Sequence, residues 1–178
     1  MESIKVLDKV FVPMISAEEI ANEVRRVAKE INRDYEGRNP IFLAILNGSF
    51  MFAADLLREV DIPCEITFVK MSSYEGTSST GDVREIIGLN RSIEGRDVII
   101  VEDIVDTGIT MAHMIETLQG HNPKSLEVCT FFLKPESLKV ELNIRYTAMG
   151  IPNDFILGYG LDYDGYGRNL RDVWVLKG

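Results

Sequence analysis

Two cysteines in 178 residues exclude a disulfide-built scaffold. Cys64 and Cys129 also lack the paired spacing of a thiolate metal site. Each lies in an apolar, strand-like run, so both are expected to be buried free thiols of a reducing compartment. Positive charge is scarce: 19 Lys and Arg stand against 28 Asp and Glu, a net charge of −9. Nucleic acid is therefore not an expected partner, because it requires a basic footprint. No apolar run reaches the roughly 20 residues of a membrane-spanning helix. Met1-Glu2-Ser3-Ile4-Lys5 lacks the basic start and apolar core of a signal peptide, so a cytoplasmic protein that meets no membrane is expected. There is no Gly-x-x-x-x-Gly-Lys-Ser/Thr, and no Gly-x-Gly-x-x-Gly after a strand, which excludes the common nucleotide-binding loops. His113 and His121 have no ligand spacing and complete no Ser-His-Asp set.

What the chain does contain is enough apolar surface for one domain over residues 1–178: 46% of the residues are hydrophobic, and at this length a substantial core is available. Ser16-Ala17-Glu18-Glu19 reads as a capping box. Ile20, Val24, Val27, Ala28 and Ile31 then recur at helical spacing to about Asp34. Residues 41–46 form a continuous apolar run, as in a strand buried on both faces. Asn47-Gly48-Ser49 is a tight turn, and residues 50–60 return to a helical pattern. Residues 64–69 alternate like a strand, and 126–133 read as another, ending at Lys134-Pro135. Residues 155–161 are short and apolar, and Val173-Trp174-Val175-Leu176 is an edge or hood strand. Strands alternating with helices predict an α/β fold with a mostly parallel central sheet flanked by helices. In such sheets ligands bind beyond the carboxyl ends of the strands. The loops after Leu46, Val69, Val101, Leu133 and Leu161 could all meet there.

The densest chemistry lies between Val98 and Thr110. Four apolar residues predict a buried strand. Glu102, Asp103 and Asp106 follow, then a Thr107-Gly108-Ile109-Thr110 loop and a helix marked by Met111, Met114 and Leu118. Unpaired amides at a helix start hold phosphate well. Thr107 and Thr110 add hydroxyls, and Gly108 lets the backbone come close. Glu102 and Asp103 suit sugar hydroxyls or a hydrated Mg²⁺. Residues 71–82 are polar and almost free of apolar side chains, which reads as a long loop of the kind that forms active-site lids. Asp162-Tyr163-Asp164-Gly165 lacks the later acidic positions of a calcium loop, so an EF-hand is excluded.

Val101-Glu102-Asp103-Ile104-Val105-Asp106-Thr107-Gly108 resembles the 5-phosphoribosyl-1-pyrophosphate (PRPP) signature of type I phosphoribosyltransferases. Its wording is closest to the hypoxanthine-guanine phosphoribosyltransferases. The resemblance extends over about residues 5–176 and implies that family's fold, with a small hood built from the terminal segments. It implies that Glu102 and Asp103 lie near the ribose hydroxyls, that Asp106 is the general base on the purine ring, and that Asp106, Thr107, Gly108, Ile109 and Thr110 cradle the 5-phosphate. Asn47, Gly48 and Ser49 resemble the pyrophosphate loop, with asparagine where relatives commonly carry lysine. Arg168 matches the cation near pyrophosphate. Ser73 and Tyr74 resemble the lid, and Lys134 the donor to the purine's six-oxo group. Phe155 resembles the ring that stacks on the base, Ile156 the residue whose backbone reads its edge, and Asp162 a residue of the purine side that also binds Mg²⁺. The metal set implied is Glu102, Asp103 and Asp162.

The activity so implied is purine salvage: Mg²⁺-dependent transfer of the phosphoribosyl group from PRPP to hypoxanthine or guanine, by a homodimer or homotetramer. Two alternatives keep the fold. One is a PRPP- or nucleotide-sensing regulator, and the other a phosphoribosyltransferase that prefers xanthine. Lys134 with Phe155 favours a six-oxopurine over uracil and does not decide among hypoxanthine, guanine and xanthine.

Overall fold

The computed structural model describes residues 2–74 and 83–178. Its first helix begins where the sequence predicts. The Ser16 hydroxyl accepts from Glu19 N–H at 3.2 Å, and the Glu19 carboxylate accepts from Ser16 N–H at 2.8 Å. The capping box is thus closed in both directions. The chain runs β1 (Ile4–Val6), β2 (Lys9–Ile15), α1 (Ala17–Asp34), β3 (Ile41–Ile45), α2 (Phe50–Glu59), β4 (Glu65–Tyr74), β5 (Val83–Ile87), β6 (Asp97–Val105), α3 (Ile109–Gln119), β7 (Ser125–Leu133), β8 (Tyr146–Gly150), β9 (Ile156–Leu157) and β10 (Val173–Leu176).

Six strands form the central sheet in the order β5-β4-β3-β6-β7-β8. All pairings are parallel except β4 with β5. Every residue of β3 is buried, because helices cover both faces. Phe42, Ala44, Ile99 and Val101 pack with Val24, Val27, Phe52 and Leu56 on the α1/α2 side. Ile41, Leu43, Val98 and Ile100 pack with Met111, Met114 and Leu118 of α3 on the other. Each large side chain so buried contributes about 1.5–3 kcal/mol. The continuous apolar runs of β3 and β6 follow from this two-sided burial. A second, four-stranded sheet has the order β1-β2-β10-β9. It is the hood, and it joins the two ends of the chain. The architecture is α/β, as expected.

Several local expectations are corrected. β6 does not stop at Val101: Glu102, Ile104 and Val105 pair with Thr130, Phe132 and Leu133 of β7, so Glu102 and Asp103 lie within the strand. The polar segment expected as a loop from residue 71 begins as strand. Lys70–Tyr74 has left β3, whose pairing ends at Val69, and pairs only with β5. This two-stranded ribbon extends past the carboxyl end of the sheet. Ser73 and Tyr74 sit at its far end, opposite Arg84 and Val83, while the rest of the expected lid, 75–82, lies outside the described residues. Of the two alternatives for residues 173–176, β10 takes the hood one and lies inside that sheet, flanked by β2 and β9. Of residues 155–161 only Ile156–Leu157 is strand. Cys129 is buried, but Cys64 only partly so.

Candidate active site

The parallel strands β3, β6 and β7 deliver residues 46–49, 105–110 and 134 to one edge of the sheet. After β3 the Leu46–Asn47 peptide is cis. The chain then turns into α2 through Asn47, Gly48 and Ser49. Among the described residues neither the Asn47 nor the Gly48 amide has a backbone acceptor, so both are free to bind an anion. The buried Ser49 hydroxyl likewise makes no hydrogen bond there. Gly48 is glycine for lack of space. A Cβ at that position would overlap the Asp103 carboxylate, and one at Gly160 would overlap the Gly48 carbonyl. The turn is therefore clasped between the acidic end of β6 and the segment after β9.

Glu102 and Asp103 are held by their own strand. Glu102 Oε1 accepts from Asp103 N–H at 3.0 Å, and Asp103 Oδ1 from Ile104 N–H at 2.7 Å. The Glu102 carboxyl is pushed well above the usual range, first by burial and then by the neighbouring Asp103 charge. Beyond β6 the chain reverses at Gly108, the left-handed N-cap of α3 with φ of 80°. Glycine adopts this conformation without the strain an L side chain would incur. A Cβ there would also come within 2.7 Å of Leu142 and 3.1 Å of Leu138 and Val140. Lys139 N–H donates to Thr107 O at 2.9 Å, so the segment after β7 holds this loop from outside. Within it, the Thr107 hydroxyl accepts from Ile109 N–H at 3.4 Å. A hollow of about 230 Å³ is lined by Glu102, Asp106, Thr107, Gly108, Thr110 and Met111, with Ile104 and Val105. The positive end of α3 and its first-turn amides favour an anion here. Ile109 is largely exposed and does not line it.

Lys134 and Asp106 meet, Nζ to Oδ2, at 3.2 Å. The lysine is 8% exposed, while the Asp106 side chain is half-exposed. A buried ammonium with its carboxylate partner at the surface is poised to receive a polar ligand beside both. Lys134 N–H also donates to Val105 O, which ties the end of β7 to the end of β6.

The segment 155–168 supplies the remainder. Phe155 is exposed over 44% of its surface. Leu176 N–H donates to Phe155 O at 2.9 Å, and Ile156 stands opposite Val175. The alternation of an antiparallel ladder turns the Ile156 amide and carbonyl away from β10, off the free edge of the hood. Asp162 has both oxygens engaged: Oδ1 with Arg168 Nη2 at 3.0 Å, and Oδ2 as acceptor from Gly165 N–H at 2.7 Å. Arg168 Nη1 donates to Gly160 O at 2.7 Å. A continuous set of contacts thus runs from Asp103 through Gly48 and Gly160 to Arg168 and Asp162. Among the described residues no three His, Cys, Asp or Glu side chains gather as a metal cage, so Glu102, Asp103 and Asp162 do not form one cluster. The donor set still fits Mg²⁺, which is usually held by one or two carboxylates together with waters and substrate phosphates.

Sequence reasoning missed Gly160, whose glycine pattern with Gly158 was its one visible signal. It also missed Leu138, Val140 and Leu142 over Gly108. A larger hollow of about 390 Å³ between α1, α2 and Leu170 shares no residue with the hollow at the start of α3, and its size alone does not make it the substrate site.

Fold and site together define an α/β protein with two anion-favouring turns and a buried lysine–carboxylate pair at the carboxyl edge of a parallel sheet. Residues 15–164 match the family model described as phosphoribosyl transferase domain. The hypoxanthine-guanine phosphoribosyltransferase of Lactococcus lactis is 40% identical over 174 residues, 97% of this chain and 93% of that protein. The crystal structure of a hypoxanthine-guanine phosphoribosyltransferase from Bacillus anthracis superposes with a TM-score of 0.86 at 37% identity, covering 93% of this chain and 98% of that one. The bifunctional protein TilS/HprT of Listeria monocytogenes is 40% identical over 165 residues, and there the chain spans only 26% of the relative's length. The chain belongs to the phosphoribosyltransferase family, in its hypoxanthine-guanine branch.

Proposed function

We propose that this chain is a single-domain cytoplasmic purine-salvage enzyme, transferring the 5-phosphoribosyl group of PRPP to hypoxanthine or guanine and releasing pyrophosphate. The observation that carries this reading is the Lys134–Asp106 pair at 3.2 Å beside a phosphate-sized cradle. The lysine donates to the six-oxo group of the base. Asp106 takes or shares the imidazole-ring proton as the glycosidic nitrogen attacks the anomeric carbon. The bond from that carbon to the pyrophosphate oxygen breaks as the new carbon–nitrogen bond forms. Positive charge on the ribose faces Glu102 and Asp103, while negative charge on the leaving group faces the Asn47 and Gly48 amides and Arg168. Thr107, Gly108 and Thr110 anchor the 5-phosphate, with the Ile109 amide at the same turn. Phe155 stacks on the base, and the Ile156 backbone reads its edge. Glu102 and Asp103 on one side of the site, and Asp162 on the other, are the residues that would hold Mg²⁺ accompanying PRPP, which would supply charge neutralisation of the departing pyrophosphate. Ser73 and Tyr74 belong to the lid that excludes water from the reaction.

We also assign a homo-oligomer. Ile66, Phe68 and Ile87 are exposed on one face of the sheet's edge, the face on which α2 packs, and Phe50 of α2 is exposed as well. No helix among the described residues is long and apolar enough to cross a membrane. The test is a panel of hypoxanthine, guanine, xanthine, adenine and uracil with PRPP and Mg²⁺, following nucleotide and pyrophosphate. Product with hypoxanthine or guanine is expected. Faster product with xanthine would reassign the substrate, and PRPP binding without turnover on any base would favour a regulator.

A further inference from the structure

We infer that Tyr163 and Asp8 form a positioning pair that fixes the ring of Phe155, and that the N-terminal hairpin is thereby part of the base site. The inference rests on the reading of Phe155 as the stacking ring. Phe155 exposes 44% of its surface, and an aromatic platform left free to turn would have to be ordered when the base arrives, which weakens binding. Its rim is packed on two sides. Tyr163 stands edge-on to it, with ring centroids 5.8 Å apart and planes at 86°, the favourable geometry for an aromatic pair. The buried Phe11 of β2 lies 6.2 Å away, and Phe11 and Tyr163 are 6.3 Å apart. The three rings brace one another.

Tyr163 is itself immobilised. Residues 163–166 form a tight hairpin in which Tyr163 and Tyr166 exchange backbone hydrogen bonds of 2.9 and 3.0 Å. Asp164 and Gly165 at its tip both have positive φ, as a type I′ turn requires. For packing against Phe155 a phenylalanine would serve. The tyrosine hydroxyl instead reaches the turn between β1 and β2 and donates to Asp8 Oδ1 at 2.7 Å, while Lys9 Nζ lies 5.5 Å from the ring centroid. The bond spans 155 positions of sequence and is the polar link between that turn and the aromatic cluster. Asp8 is a positioning residue. It acts on the base only through Tyr163 and then Phe155.

The test compares Tyr163→Phe, Asp8→Ala and their double variant by steady-state kinetics, with Phe155→Leu as reference and circular dichroism to confirm folding. Loss of one hydrogen bond is expected to raise KM for hypoxanthine about threefold, with kcat and KM for PRPP unchanged. The double variant should be no worse than either single one, and Asp8→Asn, which keeps an acceptor oxygen, should restore most of the loss. Phe155→Leu raising the hypoxanthine KM while Tyr163→Phe and Asp8→Ala leave it unchanged would overturn this inference alone. An unchanged KM in Phe155→Leu would overturn the stacking role and the inference with it. A parallel loss in kcat and both KM values would show a merely structural role and also overturn it.

Discussion

Gly48→Ala separates stability from catalysis at the turn proposed to hold pyrophosphate. Gly48 does not have the positive φ that disfavours an L side chain, so the backbone accepts alanine and the cost is one of space. The added Cβ would overlap Asp103 Oδ2 and stand 2.6 Å from its Cγ. Two adjustments relieve this. Asp103 can rotate away, giving up its 2.7 Å bond from Ile104 N–H, at about 1 kcal/mol. Otherwise the turn itself must move, where the room is so limited that a Cβ at Gly160 would overlap the Gly48 carbonyl. Folding stability therefore falls by only about 1 kcal/mol. Either adjustment displaces a group of the proposed site, the Asp103 carboxylate or the Asn47 and Gly48 amides, by about an ångström, which costs about 10²-fold in rate. That corresponds to about 2.7 kcal/mol of transition-state stabilisation. The assay is kcat/KM for PRPP at saturating hypoxanthine, beside thermal unfolding. Because both residues act through one contact, adding Asp103→Asn to Gly48→Ala should lower the rate little beyond the worse single variant. If Gly48→Ala keeps the parent's kcat/KM for PRPP, the clasp between Gly48 and Asp103 is not the productive arrangement.

Lys134→Ala should raise KM for hypoxanthine about 10-fold or more, since a charge-assisted bond is worth about 1.5–3 kcal/mol. PRPP affinity, measured by calorimetry, should not change. Gly108→Ala meets both a left-handed φ and Leu142, so it should destabilise by about 1–3 kcal/mol in urea unfolding and weaken PRPP binding. The Arg38 guanidinium donates to the buried Asp97 carboxylate, which also accepts from Ser125 Oγ at 2.6 Å. These bonds hold Asp97 below its ordinary value of 3.8. Its stabilisation is complete above that ordinary value and is lost as pH falls through the lower folded one. Asp97→Asn should cost about 1–2 kcal/mol at neutral pH, discounted because Arg38 is partly exposed. The cost should vanish in acid, read from urea unfolding across pH.

The parts of the fold legible in the sequence are those where one segment carries its own reason. α1 announces itself by a capping box and a helical stripe, and β3 by unbroken apolarity. The 98–110 segment is legible because strand, cradle and helix start are contiguous. Other parts depend on partners remote in sequence. β8 has no distinct pattern because it is a strand only by pairing with β7. The extension of β6 through Glu102 and Asp103 likewise rests on β7, which supplies ladder partners that outweigh the weak strand preference of carboxylates. Lys134 and Phe155 are a strand-end lysine and a lone aromatic by local pattern, and only the resemblance marked them. Gly160 and Asp8 matter through contacts with Gly48 and Tyr163, and no local rule points to either.

A net charge of −9 and a polyanionic substrate pose an electrostatic problem that the site geometry answers locally. Attraction by the overall field is unavailable. The two cations placed at the site are already paired, Lys134 with Asp106 and Arg168 with Asp162. What can meet phosphate oxygens without adding net charge is the backbone: the Asn47 and Gly48 amides at one end and the first turn of α3 at the other. Amides are fixed dipoles that need no counterion in the free protein, so the protein can remain acidic and keep two anion sites. In the proposed site, asparagine rather than lysine at position 47 would leave more of the binding to these dipoles. The glycines at 48 and 108 are what let the backbone take that role, one by leaving room for Asp103 and the other by turning left-handed into α3.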